Sequence, residues 1–310
     1  MKHLDFLIIG AQKCATTALF EHLRSHPDIA MPLEKEVPFF TREDCSEQAW
    51  QDFAAQQFGN DHDNKLWAKA TPQYMSDPQV PARISALMPD VKLVAILRDP
   101  IDRAWSHFQM GQRRDTENRE FAEAIESLLT VEGQQGGRCL PAPEHAEGYQ
   151  SEAQFYTAWS EYGRILTAFT EHFDPRQILV LYTEELENEP EATLDRLLDF
   201  IGLPTGFRPP SLGEVIHRGG GSNKRIPQSV RAWLRDRRAL YWLWQRIPEA
   251  RRGRLRFQYE QWNISRTGNG MSLPENLHLQ LRKHYAADIK SLLALPVARP
   301  PWTDFYLNID

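Results

Sequence analysis

The chain has 310 residues, of which 41% are hydrophobic and 25% are charged. This composition predicts a globular protein with a large buried core, either one elaborate α/β domain or two smaller domains. The formal net charge of −6 argues against a general nucleic-acid binder. No segment approaches the roughly 20 apolar residues of a membrane span.

Cysteine usage and the N-terminus bear on location. The three cysteines, Cys14, Cys45 and Cys139, are an odd number and include no Cys-x-x-Cys pair. A disulfide framework and a cysteine-rich zinc site are therefore not expected, and a reducing cytoplasm is the expected location. The first apolar run is interrupted by Asp5. It is too short for a signal peptide and predicts a first buried strand instead.

Strand and helix patterns alternate over the first 205 residues. Short aliphatic runs predict buried strands at residues 6–9, 65–68, 92–97 and 177–182. Helical patterns lie at residues 17–25, 79–88, 102–112, 152–172 and 190–201. Strands that alternate with helices need crossover connections, so we expect an α/β fold with a mainly parallel sheet covered on both faces.

The second part of the chain has a different character. Residues 134–148, rich in glycine, proline and polar side chains, predict a surface loop. Residues 218–225 form a basic, glycine-rich loop, and residues 228–256 are a helical region rich in arginine and tryptophan. A final helix is predicted at 274–295. We expect one domain over residues 1–310, with an α/β core at about 1–205 and a mainly helical part at about 206–310.

The first strand is followed by a loop with the sequence Gly10-Ala11-Gln12-Lys13-Cys14-Ala15-Thr16-Thr17. A small-residue loop between a strand and a helix presents backbone N–H groups to a phosphate. It is not a Walker A loop, because Ala15-Thr16-Thr17 replaces the Gly-Lys-Ser/Thr ending and the lysine stands earlier, at Lys13.

A second element of the same kind follows the predicted strand at 92–97. Arg98 ends that strand, and Pro100 favours the start of a helix, so Ser106 lies just over one turn from the same end. A guanidinium fork with a nearby hydroxyl suits a terminal phosphate. The alternative is that Arg98 and Asp99 form a local ion pair that caps the helix.

Taken in order, these blocks resemble the sulfotransferases that use 3′-phosphoadenosine-5′-phosphosulfate (PAPS). The resemblance is closest to the heparan sulfate N- and 3-O-sulfotransferases and their bacterial relatives. The first loop is similar to the 5′-phosphosulfate loop of that family, and the block around Arg98 is similar to its 3′-phosphate block. Between them, Lys35-Glu36-Val37-Pro38-Phe39-Phe40 resembles the segment with the catalytic carboxylate.

The resemblance implies a P-loop-like three-layer fold and sulfuryl transfer from PAPS to a hydroxyl or amine, with no metal. The product of the donor would be adenosine 3′,5′-bisphosphate (PAP). Lys13 would stabilise the leaving phosphate and Glu36 would be the general base. Glu36 could instead be half of a solvated ion pair with Lys35. The family's nucleotide site maps onto Lys13, Cys14, Ala15, Thr16, Thr17, Arg98 and Ser106.

Further positions match the family less closely. Lys224 and Arg225 resemble phosphate contacts, with plain solvent exposure as the alternative. Lys69 and Phe39 are candidates for contacting the acceptor, although Ala70 stands where the 3-O-sulfotransferases have their lysine before Thr-Pro.

The resemblance leaves the acceptor open. It would be a small molecule, a carbohydrate, a lipid or another natural product, and residues 206–310 would lie on its side of the site. Residues 228–256 are either a wall of that site or a helical hairpin that buries its aromatic side chains. Two other functions remain open: a divergent P-loop kinase that uses ATP, and a nucleotide-binding protein without turnover.

Overall fold

A central sheet organises the fold. The structure is a computed structural model, and it describes residues 2–58, 64–114, 116–139, 152–213 and 273–307. Five parallel strands lie in the order β2-β3-β1-β4-β5. The strands are β1 Phe6–Gly10, β2 Ile29–Ala30, β3 Leu66–Ala70, β4 Lys92–Leu97 and β5 Ile178–Tyr182.

Helices connect the strands and flank the sheet, which confirms the predicted α/β class. They are α1 Thr16–Arg24, α2 Glu47–Phe58, α3 Val80–Leu87, α4 Pro100–Arg113, α5 Phe121–Leu128, α6 Val131–Cys139, α7 Tyr162–Thr170, α8 Thr183–Asn188, α9 Pro190–Ile201, α10 Glu275–Leu293 and α11 Thr303–Leu307. Short 3₁₀ turns lie at Pro72–Met75, Ala158–Ser160 and Pro175–Gln177.

The strands are apolar on both faces because both faces are covered. Every residue of β1 is buried, and in β4 only Lys92 keeps an exposed part. A parallel sheet between helices cannot alternate apolar and polar residues, so its strands appear in sequence as continuous aliphatic runs. For this reason β1, β3, β4 and β5 could be predicted. β2 has only two residues and gives no such pattern.

Two predicted segments differ from the structure. The helix expected at residues 152–172 is instead a 3₁₀ turn followed by α7, and the break falls at Glu161. Its buried carboxylate accepts hydrogen bonds from Arg138 at 2.6 Å and Arg164 at 2.7 Å, and its backbone leaves the helical region to reach them. The loop expected at 134–148 begins as helix α6, and residues 140–148 lie outside the described residues.

Two C-terminal helices pack on the core: α10, which was predicted, and the short α11, which was not. The carboxylate of Asp288 in α10 accepts hydrogen bonds from the backbone N–H groups of Gly163 and Arg164, both at 2.8 Å. Tyr306 in α11 donates its hydroxyl to the carboxylate of Asp99, with both oxygens at 3.0 Å. The C-terminal helices therefore contact the start of α7 and the start of α4. The predicted loop 218–225 and the region 228–256 lie outside the described residues.

The close approach of α10 to α7 predicts the effect of one methyl group. A Cβ atom on Gly163 would lie 2.2 Å from the backbone oxygen of Asp288 and 2.7 Å from the nitrogen of Leu292. Gly163→Ala should therefore lower the free energy of unfolding by about 1–3 kcal/mol, measured by denaturant or thermal unfolding. Gly136→Ala in α6 is the control, since a Cβ there meets nothing within 4 Å and helix propensity favours alanine. Equal stability of the two variants would contradict this packing.

Candidate active site

The loops after β1 and β4 leave the sheet side by side. These strands are parallel neighbours, and Ala11 donates its backbone N–H to the oxygen of Ile96 at 2.8 Å. Lys13 follows β1 and Arg98 follows β4, so both lie at the carboxyl edge of the sheet, where open α/β sheets bind ligands. The two blocks that the sequence singles out therefore meet at one edge.

The loop after β1 leaves the start of α1 open to an anion. Lys13 and Ala15 have left-handed backbone angles, with φ of 74° and 59°. Ala15 is the N-cap of α1 and has no side chain that accepts from the first turn. The first N–H groups of a helix have no acceptor within the helix, and its N-terminus carries partial positive charge. The loop can therefore bind a phosphate or sulfate group here.

Cys14 faces the interior. Its side chain is fully buried, its Sγ lies 3.7 Å from the hydroxyl of Tyr162, and its backbone N–H donates to Ala11 within the loop. Burial raises the pKa of the thiol to about 11. The Tyr162 hydroxyl donates to the backbone oxygen of Arg98 at 3.0 Å. The side chain and the backbone N–H of Cys14 are both engaged within the protein, and its predicted nucleotide contact stays a prediction.

Lys35 joins the phosphate loop to Glu36. Its Nζ donates to the Thr17 hydroxyl at 3.0 Å and to the Glu36 carboxylate at 2.5 Å, and the Thr16 hydroxyl is 3.5 Å away. The Lys35 side chain is 14% exposed, whereas that of Glu36 is 40% exposed. The predicted ion pair is therefore formed with Glu36 in contact with solvent, while Lys35 is mostly buried against the first turn of α1. Sequence reasoning missed Lys35 as a site residue, because the adjacent Lys-Glu pair does not reveal the contact with α1.

Lys69 also reaches the Glu36 segment. Its side chain is fully buried, and its Nζ donates to the backbone oxygen of Lys35 at 3.4 Å. It lies 5.6 Å from the ring centre of Phe53. Burial lowers the pKa of Lys69 to about 7, while the nearby Glu36 carboxylate acts in the opposite direction. The ammonium of Lys69 therefore lies beside the Lys35–Glu36 segment, although Ala70 stands where the 3-O-sulfotransferases have their lysine.

Lys13 experiences the same mixture of charges. Burial, together with the guanidinium groups of Arg113 and Arg114, lowers the pKa of Lys13 to about 7. Glu36 again acts in the opposite direction. The Glu36 carboxylate therefore favours the charged form of both lysines, that of the loop and that of β3.

In the block after β4, Asp99 and Arg98 have different partners. The Asp99 side chain caps α4 by accepting from the backbone N–H groups of Ile101 and Asp102, at 2.9 and 3.0 Å. Arg98 instead bonds the carboxylate of Asp102 at 3.2 Å, and 34% of its side chain is exposed. The pairing of Arg98 with Asp99 is therefore not formed. Ser106 lies in the same helix and is 7% exposed.

Phe39 belongs to the core. It is fully buried and packs against Phe40, Trp50 and Phe53, with ring centres 5.1–5.3 Å apart. Its backbone N–H donates to the Tyr74 hydroxyl at 2.5 Å. Phe39 presents no exposed surface, and its predicted contact with the acceptor stays a prediction. It anchors the chain just after Glu36.

Lys224 and Arg225 lie outside the described residues, and their contacts stay predictions. Within the described ranges, no three His, Cys, Asp or Glu side chains are grouped so that they could hold a metal ion. None of the helices described is both long and apolar enough to cross a bilayer. The cysteines Cys14, Cys45 and Cys139 are unpaired.

The burial of Lys69 predicts a pH-dependent stability. Its pKa is about 7 in the folded chain and about 10.5 when it is solvated, so between these values the unfolded chain binds more protons. The Lys69 contribution to stability therefore rises as the pH increases from about 7 towards 10.5. Lys69→Met should increase the free energy of unfolding at about pH 6 by roughly 1–3 kcal/mol and reduce that rise, measured by denaturant unfolding.

Lys92→Met is the matched control for this variant. Lys92 is also a strand lysine whose Nζ bonds a backbone oxygen, that of Phe200 at 2.6 Å, but it keeps an exposed part. Its replacement should not stabilise the protein at pH 6. If Lys69→Met instead has a lower free energy of unfolding at that pH, the buried ammonium does not destabilise the folded protein.

Comparison with known proteins identifies a family and several relatives. Residues 3–218 match the sulfotransferase domain family. The chain is 32% identical over 203 residues to heparan sulfate glucosamine 3-O-sulfotransferase 3B1 of Homo sapiens, covering 64% of this chain and 45% of that protein. It is 30% identical over 204 residues to heparan sulfate glucosamine 3-O-sulfotransferase 6 of Homo sapiens, covering 64% and 52%. It thus spans about half the length of these relatives.

A similar fold is found in a solved structure, a sulfotransferase from Alicyclobacillus acidocaldarius. The TM-score is 0.62 at 20% identity, and the superposition covers 95% of this chain and 96% of that one. At this identity the likeness concerns the fold. The family match extends over more than two thirds of the chain and includes both phosphate-loop blocks and the Glu36 segment. The chain belongs to the sulfotransferase domain family.

Proposed function

We propose that this chain transfers the sulfuryl group of PAPS to a hydroxyl or amine of an acceptor and releases PAP. The observation that carries the proposal is the position of Lys35, whose ammonium bonds both Thr17 of the phosphate loop and the Glu36 carboxylate. A base and an anion-binding helix end within reach of one cation are what an in-line group transfer requires. The family match supports the same reaction.

The form of the loop suits PAPS better than a nucleoside triphosphate. PAPS has one phosphate joined to a sulfuryl group at its 5′ end, so there is no triphosphate to enclose and no Walker lysine after the last glycine. In this proposal Lys13 and the start of α1 bind the 5′-phosphosulfate. Arg98 and Ser106, which follow the neighbouring strand β4, bind the 3′-phosphate. Arginine suits this task because its paired N–H donors match two phosphate oxygens.

The chemistry is mainly positioning and charge stabilisation. The acceptor oxygen or nitrogen attacks sulfur, and the bond from sulfur to the 5′-phosphate oxygen breaks, leaving its electron pair on that oxygen. Glu36 accepts the proton of the acceptor. Lys13 stabilises the negative charge on the departing phosphate. Lys35 supplies a second cation beside the reacting groups, and on binding of the sulfuryl oxygens it would leave Glu36 free to act as base.

The acceptor is proposed by class. The relatives are named for glucosamine in heparan sulfate, so carbohydrates are the first acceptors to test, followed by lipid, small-molecule and other natural-product hydroxyls and amines. We propose the reducing cytoplasm as the location, supported by the three unpaired cysteines. The role of residues 206–310 on the acceptor side stays a prediction.

Nucleotide selectivity tests the donor assignment. Calorimetry without added metal should show that PAP binds far more tightly than AMP or ATP, because only PAP carries a 3′-phosphate. Arg98→Ala should weaken PAP binding at least about tenfold and leave AMP binding nearly unchanged. Arg176→Ala, at an arginine whose side chain is 89% exposed, is the control and should change neither. Equal affinities for PAP and AMP in the unaltered chain would contradict the donor assignment, and a Mg²⁺-dependent preference for ATP would favour a kinase.

Loss of the base tests the catalytic assignment. Transfer of label from radioactive PAPS to a panel of acceptors should fall by about 10²-fold or more in Glu36→Gln, while PAP affinity is retained. Glu34→Gln is the matched control, since it removes a carboxylate from the same segment. Full transfer by Glu36→Gln would exclude Glu36 as the base. PAP binding without transfer to any acceptor would favour a nucleotide-binding protein without turnover.

A further inference from the structure

Four polar side chains form a buried hydrogen-bonded network behind the phosphate loop, and the proposed reaction uses none of them. They are Gln12 in the loop, Glu152, and His107 and Arg103 in α4, and each is at most 8% exposed. Burying so many polar groups is unfavourable unless each is hydrogen-bonded. Their hydrogen bonds converge on the Glu152 carboxylate, which accepts from His107 on the side of α4 and from Gln12 on the side of the loop.

The protonation states follow from the donors. Arg103 donates through Nη1 to His107 Nδ1 at 3.3 Å, so the imidazole proton is on Nε2, which donates to Glu152 at 2.7 Å. Burial lowers the pKa of His107 to about 4, so the imidazole is neutral. Burial alone would raise the pKa of Glu152, but His107, the positive charge of Arg114 and the hydrogen bond from Gln12 together outweigh it and lower the pKa to about 2. Glu152 is therefore a carboxylate with acceptor capacity only.

That carboxylate is bonded to the loop. The side-chain amide of Gln12 donates to both oxygens of Glu152, at 3.1 and 3.3 Å. The other end of the hydrogen-bonded network is fixed, because Arg103 also donates to the Ser160 hydroxyl and to the backbone oxygen of Tyr156. Gln12 is therefore bound to α4 through Glu152 and His107, and His107 is adjacent to Ser106 in that helix.

The loop needs such a contact. Lys13, next to Gln12, has a φ of 74°, and Ala15 has a φ of 59°, a region that costs a non-glycine residue of the order of 1 kcal/mol. Lys13 is also repelled by Arg113 and Arg114 at the end of α4. Without a bound anion, both effects would move the loop away from the conformation that receives a phosphate.

We propose that Glu152 is a positioning residue, which acts through Gln12 to hold the phosphate loop in its binding conformation and ties it through His107 to the helix that carries Ser106. The inference rests on the proposed function in so far as the loop binds PAP. Preorganisation of this kind increases affinity by removing the ordering that binding would otherwise require.

The test uses Gln12→Ala, Glu152→Ala and the double variant in the full chain. Each single variant should weaken PAP binding about tenfold in calorimetry, a typical loss when a group that orients a binding residue is removed. Because both act through one contact, the double variant should be no weaker than the worse single variant. Amide hydrogen exchange of residues 11–17 without ligand should be faster in all three.

Glu161→Ala is the matched control. Glu161 is also a buried carboxylate, but its partners are Arg138, Arg164 and His284. It should lower stability without changing PAP affinity or exchange in residues 11–17. If Glu152→Ala does not fold, Glu152→Gln replaces it in both measurements. Its amide offers one acceptor oxygen where the carboxylate offers two.

The outcomes separate the two proposals. If the unaltered chain does not bind PAP, the proposed function fails and this inference falls with it. If the unaltered chain binds PAP but the Gln12 and Glu152 variants bind equally well, or their losses are additive, the positioning role is wrong. Unchanged exchange in residues 11–17 would also overturn it, whatever the affinities.

Discussion

The site depends on bringing several cations close to one carboxylate without a bound anion. Lys13 and Lys69 each have a pKa near 7, because burial disfavours their charge more than Glu36 favours it. Lys35 is bonded directly to Glu36. Such an arrangement opposes folding, since like charges repel and buried charges lose hydration. It becomes favourable when a ligand with several negative charges enters, and this is why the cluster indicates a phosphate- or sulfate-bearing substrate.

The surrounding structure consists largely of contacts that keep these groups in place. The Asp99 side chain caps α4 and accepts from Tyr306 of the last helix, so the C-terminal segment supports the Arg98 block. Tyr162 lies between Cys14 and the backbone oxygen of Arg98. Phe39 anchors the Glu36 segment in an aromatic cluster. These interactions are local and buried, and they explain why a protein with ordinary overall charge can hold a concentrated basic site.

Much of the fold could be predicted because the parallel sheet leaves continuous aliphatic runs, and β4 and α9 have the predicted bounds. The α/β class, the sheet edge and the family followed from those runs and from the ordered motifs.

Side-chain direction could not be predicted. Phe39 and Cys14 face the core although their neighbours line the site. Lys69 donates to the backbone oxygen of Lys35, next to Glu36, although Ala70 separates it from Thr71 in the sequence. The Gln12–Glu152 contact joins residues 140 positions apart and leaves no local pattern.

The most direct test of the account is the number of protons taken up when PAP binds. At about pH 8 most Lys13 side chains in the free protein are neutral, because the pKa is about 7. Phosphate groups, with a second pKa near 6, are by then almost fully ionised. An anion beside Lys13 favours its charged form, so calorimetry in buffers of different ionisation enthalpy should show proton uptake on binding. This uptake should fall markedly in Lys13→Met. Binding without proton uptake, or with the same uptake in that variant, would contradict the view that the lysine cluster receives the phosphates of the donor.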